Sequence, residues 1–179
     1  LFFQISLYTH LVLQHIQGVL MNNNLLKVAG IIETSVNDGP GIRTVLFFQG
    51  CSINCKYCHN ESIWNTEQSK NYTIKNLFLF INKKCINKKL TLSGGEPLDQ
   101  YSNLIEFIKL IYKHNYDICL YTGYELDKVP QDILKYLTYL KTGPFIEKLK
   151  DSTLPFIGSK NQNFYKVIKG GGKICMREI

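Results

Sequence analysis

The chain contains no internal repeat, no low-complexity segment and no composition shift that would mark a linker. That excludes a repeat architecture, and at 179 residues with 45% hydrophobic content the sequence has room for one sizeable core rather than two. A secretory signal is missing too. No Lys or Arg precedes the apolar opening "LFFQISLYTHLVLQHIQGVL", no small-residue cleavage site follows it, and Gln4, Gln14, His15 and Gln17 break it, so neither a signal peptide nor a membrane span is expected. Without export there is no oxidising compartment, and the six cysteines are expected as free thiols of a cytoplasmic protein. Acidic side chains are scarce, 14 against 21 Lys and Arg, which leaves a formal charge of +7. No basic stripe interleaved with aromatics accompanies this excess. The lysines fall in scattered pairs such as Lys83-Lys84 and Lys88-Lys89, a solvated surface rather than a nucleic-acid footprint. Residues 1–24, within which Met21 is the first methionine, are expected to be a non-functional extension, with a membrane-associating helix as the alternative, and residues 25–179 to form one domain.

What is present alternates. From Leu25 onward short β-rich runs alternate with amphipathic stretches, which predicts an α/β fold. "LLKVAGIIETSV" and "IRTVLFFQ" read as strands joined by the turn "NDGPG", and "KLTL", "YDICLYTG" and "YLKTG" as further strands. Thr73 is placed to cap a helix whose apolar positions are Ile74, Leu77, Phe78, Ile81 and Cys85. A second helix, "YSNLIEFIKLIYKHN", is expected to bury Leu104, Ile105, Ile108, Ile111 and Tyr112. A short helix is expected around Gln131–Leu137, and "PFIEKLKDSTLPFIGSKNQ", residues 144–162, reads as irregular and loop-rich. Loops that follow parallel strands gather at one end of the sheet, so the loops "GCSINCKYCHN" and "SGGEP" are expected to face a common site.

The first of these loops carries the chemistry. Cys51, Cys55 and Cys58 put three soft ligands into eight residues with no fourth cysteine nearby. Zinc and iron-sulfur clusters both take thiolates, but a structural zinc wants a closed set of four, and His59, adjacent to Cys58, is badly placed to complete it in a tight loop. A cubane held by three thiolates keeps one iron open for an exogenous ligand. Three ordinary buried cysteines are improbable at this spacing in a loop of Gly, Asn and Lys. In "GGEP", two glycines permit close backbone approach to a ligand and Glu96 offers an acceptor for an ammonium group; alone, that tetrapeptide is more often a tight turn.

The spacing C-x3-C-x2-C with Tyr57 before the third cysteine, followed by Gly94-Gly95-Glu96-Pro97, closely resembles the radical S-adenosylmethionine superfamily. "NDGPGIRTVLFFQGC" resembles the segment that precedes the cluster in glycyl-radical-enzyme activases, and "LYTGYELD" with "KTGPFIEKLKDSTLPFIGSKNQ" resembles the activating proteins of anaerobic ribonucleotide reductase. The chain departs from that pattern at Lys141-Thr142-Gly143, where the family has "VDG", and at Pro144, where Lys or Arg is commoner.

About five or six expected strands, in a chain shorter than the roughly 250 residues of a full barrel, predict an incomplete β/α barrel, open on one side. The resemblance implies one 4Fe-4S cluster on Cys51, Cys55 and Cys58 whose fourth iron is chelated by S-adenosylmethionine. It further implies that Gly94, Gly95 and Glu96 receive the methionine amino group with Pro97 fixing the turn, that Tyr57 packs near the adenine, and that Thr122 and Gly123 contact ribose or methionine. Asp38, Gly39, Pro40 and Gly41 would meet the glycine loop of the partner, an anaerobic ribonucleoside-triphosphate reductase, with electrons from a reductant such as flavodoxin or ferredoxin and no part for nucleic acid or membrane. Two other readings stay open: an activase of another glycyl radical enzyme such as pyruvate formate-lyase, and a non-catalytic protein whose metal only orders a binding surface. Cys85 and Cys119 read as small core residues, Arg43 as paired with a carboxylate or with solvent, and no histidine is assigned chemistry.

Overall fold

The computed structural model describes residues 25–170 and 173–179. The expectation for residues 1–24 lies outside the described residues. Eight strands form one mixed sheet: β1 (Leu25–Ser35), β2 (Arg43–Phe48), β3 (Lys70–Thr73), β4 (Lys89–Gly94), β5 (Asp117–Tyr121), β6 (Tyr139–Thr142), β7 (Asn163–Gly170) and β8 (Lys173–Glu178). The order across the sheet is β3-β1-β2-β4-β5-β6-β7-β8. Its centre, β2-β4-β5-β6, is parallel, and the flanking pairs are antiparallel. Helices α1 (Ile74–Lys84), α2 (Tyr101–Lys113) and α3 (Gln131–Leu134) lie in the connections between the parallel strands.

The parallel strands alternate cleanly between two faces. Leu46, Phe48, Leu90, Leu92, Ile118, Leu120 and Leu140 join the helix residues Leu77, Ile81, Leu104, Ile108, Ile111 and Ile133 in one buried cluster. The intervening residues, Phe47, Ser93, Tyr121 and Lys141, line a cavity on the other face. A strand's period of two therefore separates the layer that stabilises this protein from the layer that works.

Both long helices form as their periodicity dictates. Thr73 Oγ1 accepts from Asn76 N at 3.2 Å, satisfying one free donor of the first turn of α1. Leu77 and Ile81 then face the sheet, and Cys85 is buried at the cap. In α2 the buried set is Leu104, Ile105, Phe107, Ile108 and Ile111. The expectation for Tyr112 fails, since it is 42% exposed. Phe107 sits three residues after Leu104 and four before Ile111, at the centre of the stripe, and Tyr112 falls at its edge.

One further expectation is corrected. The sheet has eight strands, not the five or six expected from the sequence: β3 and the antiparallel pair β7 and β8 after Gln162 were not anticipated, while residues 144–162 are largely irregular, as expected. The "NDGPG" turn is more than a connection. It folds against the helix-free face, where Thr91 Oγ1 donates to the Asp38 carbonyl at 2.6 Å and Gly39 lies close to both Arg43 and Cys119. Arg43 is fully buried beneath it and donates to Thr91 Oγ1, Leu90 O, Asp117 O and Asp117 Oδ1 at 2.8, 3.0, 2.8 and 3.1 Å, so its partner is a carboxylate rather than solvent.

Candidate functional site

Because β2, β4, β5 and β6 run parallel, the loops after them meet at one end of the sheet. These are the cysteine loop after β2, Gly95–Pro97 after β4, Thr122–Gly123 after β5 and the segment after Thr142. They enclose a cavity of about 370 Å3 lined by Cys51, Cys55 and Cys58 together with Gly94, Gly95, Glu96, Thr122 and Gly123. Eight of the residues expected at the site are thus brought together.

The cysteine loop is braced from several sides. Gly50 N and Cys51 N donate to Ile63 O and Trp64 O, and Ser52 donates through both N and Oγ to the Asp99 carboxylate at 2.7 and 2.8 Å. Asn60 Nδ2 bonds the Gly94 carbonyl at 3.2 Å, and its backbone N–H points at Cys58 Sγ at 3.4 Å. Asn54 and Tyr57, the residues immediately before the second and third cysteines, both adopt left-handed backbone, with φ of 51° and 62°. Cys55 and Cys58, each just after one of these turns, line the same cavity as Cys51. Asn tolerates that conformation readily; for Tyr it is strained. The Tyr57 ring is 63% exposed, does not line the cavity, and carries the Lys56 ammonium over its face at 5.0 Å.

Gly94 and Gly95 are required by chain packing. A Cβ on Gly95 would sit 2.0 Å from Gly50 O, and one on Gly94, at φ 115°, would sit 2.4 Å from Phe48 N. Without side chains the two loops lock together, Gly95 N to Phe48 O at 2.9 Å and Glu96 N to Gly50 O at 2.8 Å. The close approach read from the sequence as ligand contact is thus first a contact between the glycine loop and the cysteine loop.

Glu96 holds a third strand end in place. Only 1% exposed, its Oε1 accepts from Leu98 N and Thr122 Oγ1 at 2.9 and 2.8 Å, and its Oε2 from Gly123 N at 2.8 Å. Three of roughly four lone-pair sites are filled from within the chain, leaving one on Oε2 for a ligand in the cavity. Pro97 is buried at the start of the short turn that follows and does not line the cavity.

Burial pushes the Glu96 carboxyl up to about 7, against the opposing pull of its three donors. Below its ordinary value of 4.5 it is protonated whether the chain is folded or not, and above about 7 it is ionised in both states. Stability is therefore greatest at the acid end and falls as pH rises through this window, by about 3 kcal/mol from this group alone. Denaturant midpoints of the cluster-free chain, taken across the window, should decline, and Glu96→Gln should remove most of that slope while lowering stability on the acid side.

Of the segment expected to meet a partner, Asp38 lines the cavity; Gly39, Pro40 and Gly41 run behind it, Gly39 buried and Gly41 exposed. No role was expected for Asp99, Asn60, Tyr121 or Lys141. Asp99, three residues after Glu96, was detectable only as an acidic side chain following the glycine motif. Lys141 stood out as a departure from the family pattern. His59 also lines the cavity, its ring edge-on to Phe145.

The donor set fits a polynuclear cluster. Three free thiols line one cavity, and thiolates are the ligands that iron-sulfur clusters take. Burial raises the Cys51 thiol, so loading such a group would release a proton there.

Residues 37–165 match the model of a 4Fe-4S single cluster domain family. The chain belongs to that family and, within it, to the activating proteins of the anaerobic ribonucleoside-triphosphate reductase type. It is 34% identical over 142 residues to the anaerobic ribonucleoside-triphosphate reductase-activating protein of Enterobacteria phage T4, covering 74% of this chain and 89% of that one. The protein of the same name from Escherichia coli K12 is 31% identical, over 70% of this chain and 88% of the relative. The pyruvate formate-lyase-activating enzyme of Clostridium pasteurianum is 34% identical over 157 residues, but these span only 58% of that enzyme. Among solved structures, QueE from Escherichia coli shares the fold, with a TM-score of 0.50 at 13% identity over 66% of this chain and 70% of that one.

Proposed function

We propose that this protein is an iron-sulfur activase, a radical S-adenosylmethionine oxidoreductase that generates a glycyl radical on anaerobic ribonucleoside-triphosphate reductase. The observation that carries the reading is the single cavity in which three thiols from one loop face Gly94–Glu96 and Thr122–Gly123. A 4Fe-4S cluster held there by Cys51, Cys55 and Cys58 would supply the one-electron reduction that converts S-adenosylmethionine to methionine and a 5'-deoxyadenosyl radical, the species that would take a hydrogen atom from a glycine Cα of the reductase.

Cys51, Cys55 and Cys58 are the cluster ligands in this reading. The remaining Oε2 site of Glu96, with the backbone of Gly94 and Gly95, receives the methionine amino group, and Thr122 and Gly123 contact the ribose or methionine. Pro97 starts the turn that keeps Glu96 in position. An adenine contact from Tyr57 requires its ring to swing inward from the position seen here. Asp38, Gly39, Pro40 and Gly41 form the wall met by the partner's glycine loop. A small reductant such as flavodoxin or ferredoxin delivers the electron.

The reading takes residues 25–179 as one domain, its eight-stranded sheet as an incomplete β/α barrel whose unpaired side admits a macromolecular substrate, and the cytoplasm as its location. All six cysteines are free thiols, which suits a reducing compartment. No described helix is long and apolar enough to cross a membrane. The reductase is favoured over pyruvate formate-lyase as partner because this chain spans nearly all of the reductase activators and little more than half of the other enzyme. Anaerobic reconstitution with iron and sulfide, reduction, and assay of 5'-deoxyadenosine test the chemistry, and electron paramagnetic resonance of a glycyl radical on the added reductase tests the partner. A fully loaded protein that forms neither, with or without reductase, overturns the proposal in favour of a metal-ordered binding protein.

A further inference from the structure

Behind the cluster end of the cavity lies a second one, of about 580 Å3, walled by Val36–Asp38 on one side and Ser152–Gly158 on the other. Three residues line both: Asp38, Tyr121 and Lys141. They form the neck between them. The Tyr121 hydroxyl is buried there without a hydrogen-bond partner, a state that buried hydroxyls rarely tolerate. The Lys141 ammonium lies 5.4 Å from the centre of the Tyr121 ring and, among the described residues, has no carboxylate within 4 Å. Asp38 uses Oδ2 to accept from Ser35 Oγ at 2.5 Å, and its Oδ1 stays open.

An unpartnered hydroxyl, an ammonium with no carboxylate beside it among the described residues and one open acceptor around a passage complement the backbone of an extended peptide, which offers carbonyls to the first two and an N–H to the third. A small anion would suit the donors but meets the Asp38 carboxylate. The far mouth suits a protein segment, since Val36, Asn37, Ser152 and Thr153 are all exposed around it. We propose that the second cavity is the entry port for the glycine-bearing loop of the partner protein, and that Tyr121, Lys141 and Asp38 grip its backbone at the neck. This rests on the activase reading and adds to it where the loop enters and which residues position it.

The test uses the reconstituted full chain and the anaerobic ribonucleoside-triphosphate reductase of the same organism. A photo-crosslinking amino acid at Thr153 should join the reductase on irradiation, whereas the same group at Glu106, on the exposed face of α2, should not. Lys141→Met and Tyr121→Phe should each raise the reductase concentration giving half-maximal glycyl radical formation about tenfold, with a smaller change in the rate at saturation, as loss of one or two backbone bonds would. Glycyl radical formation with no crosslink from Thr153 and unchanged half-saturation in both variants overturns the port and leaves the activase standing. If the wild-type protein yields no glycyl radical and no crosslink from either position, the activase reading fails and the port fails with it.

Discussion

Replacing Cys55 with alanine is expected to reduce both the iron bound after reconstitution and the 5'-deoxyadenosine formed, the latter by more than about 100-fold, because losing even an outer partner of a metal ligand typically costs tenfold or more. Cys55 is half-buried, and its side chain makes no hydrogen bond in the apoprotein, so the variant should keep its secondary structure. The defect would then lie in the site alone. Cys85 and Cys119 supply the contrast. Both are buried, at 1% and 0% exposure, and burial raises both thiols, so they pack as small apolar side chains and stay protonated. Alanine at either should destabilise modestly through packing and leave iron content unchanged, while alanine at exposed Cys175 should change neither. Iron determination and circular dichroism on the four variants separate ligand from filler. A reading in which any three cysteines suffice would give the same loss for Cys119→Ala as for Cys55→Ala.

How far the sequence foretold this molecule depends on how local each determinant is. The start and buried face of helix α1 were legible because its cap, Thr73, and its stripe of Leu77 and Ile81 act within the segment. That the three cysteines would share one cavity was legible for the same reason, since they, their glycine and their left-handed turns are near neighbours in the chain. The hairpin β7–β8 was not, because β8 is exposed on nearly every residue and has no buried face to write an alternation into the sequence. Its order comes from pairing with β7. Glu96 was singled out, but its hold on Thr122 and Gly123 was not, because those partners lie 26 and 27 residues on and nothing near the motif announces them. The same limit hid Asp99 as the anchor of Ser52, 47 residues earlier.

Arg43 is the furthest case of this kind and gives the largest stability prediction. Its guanidinium reaches partners 48, 47 and 74 residues away and ties the starts of β4 and β5 to the loop that carries Asp38. Arg43→Met keeps much of the volume and removes every donor. The Leu90 and Asp117 carbonyls lose a charged partner in a buried setting, and the Asp117 carboxylate loses its counter-ion, so the loss should be about 3–5 kcal/mol. For a chain of this size that corresponds to a fall of roughly 10 °C in melting temperature. Lysine should not rescue it, because one ammonium cannot reproduce a planar fork that serves Thr91, Leu90 and Asp117 at once. A second consequence follows from the Pro40 carbonyl, which the same guanidinium faces at 3.5 Å. With Arg43 gone the Asp38–Gly41 loop loses its floor, so in the cold, where the variant is still folded, half-saturation by reductase should rise while 5'-deoxyadenosine formation without partner changes less. Thermal melts and the two assays on Arg43→Met and Arg43→Lys measure both effects, and a melting temperature within a few degrees of wild type would mean that the buried guanidinium is far less important to the fold than its four bonds indicate.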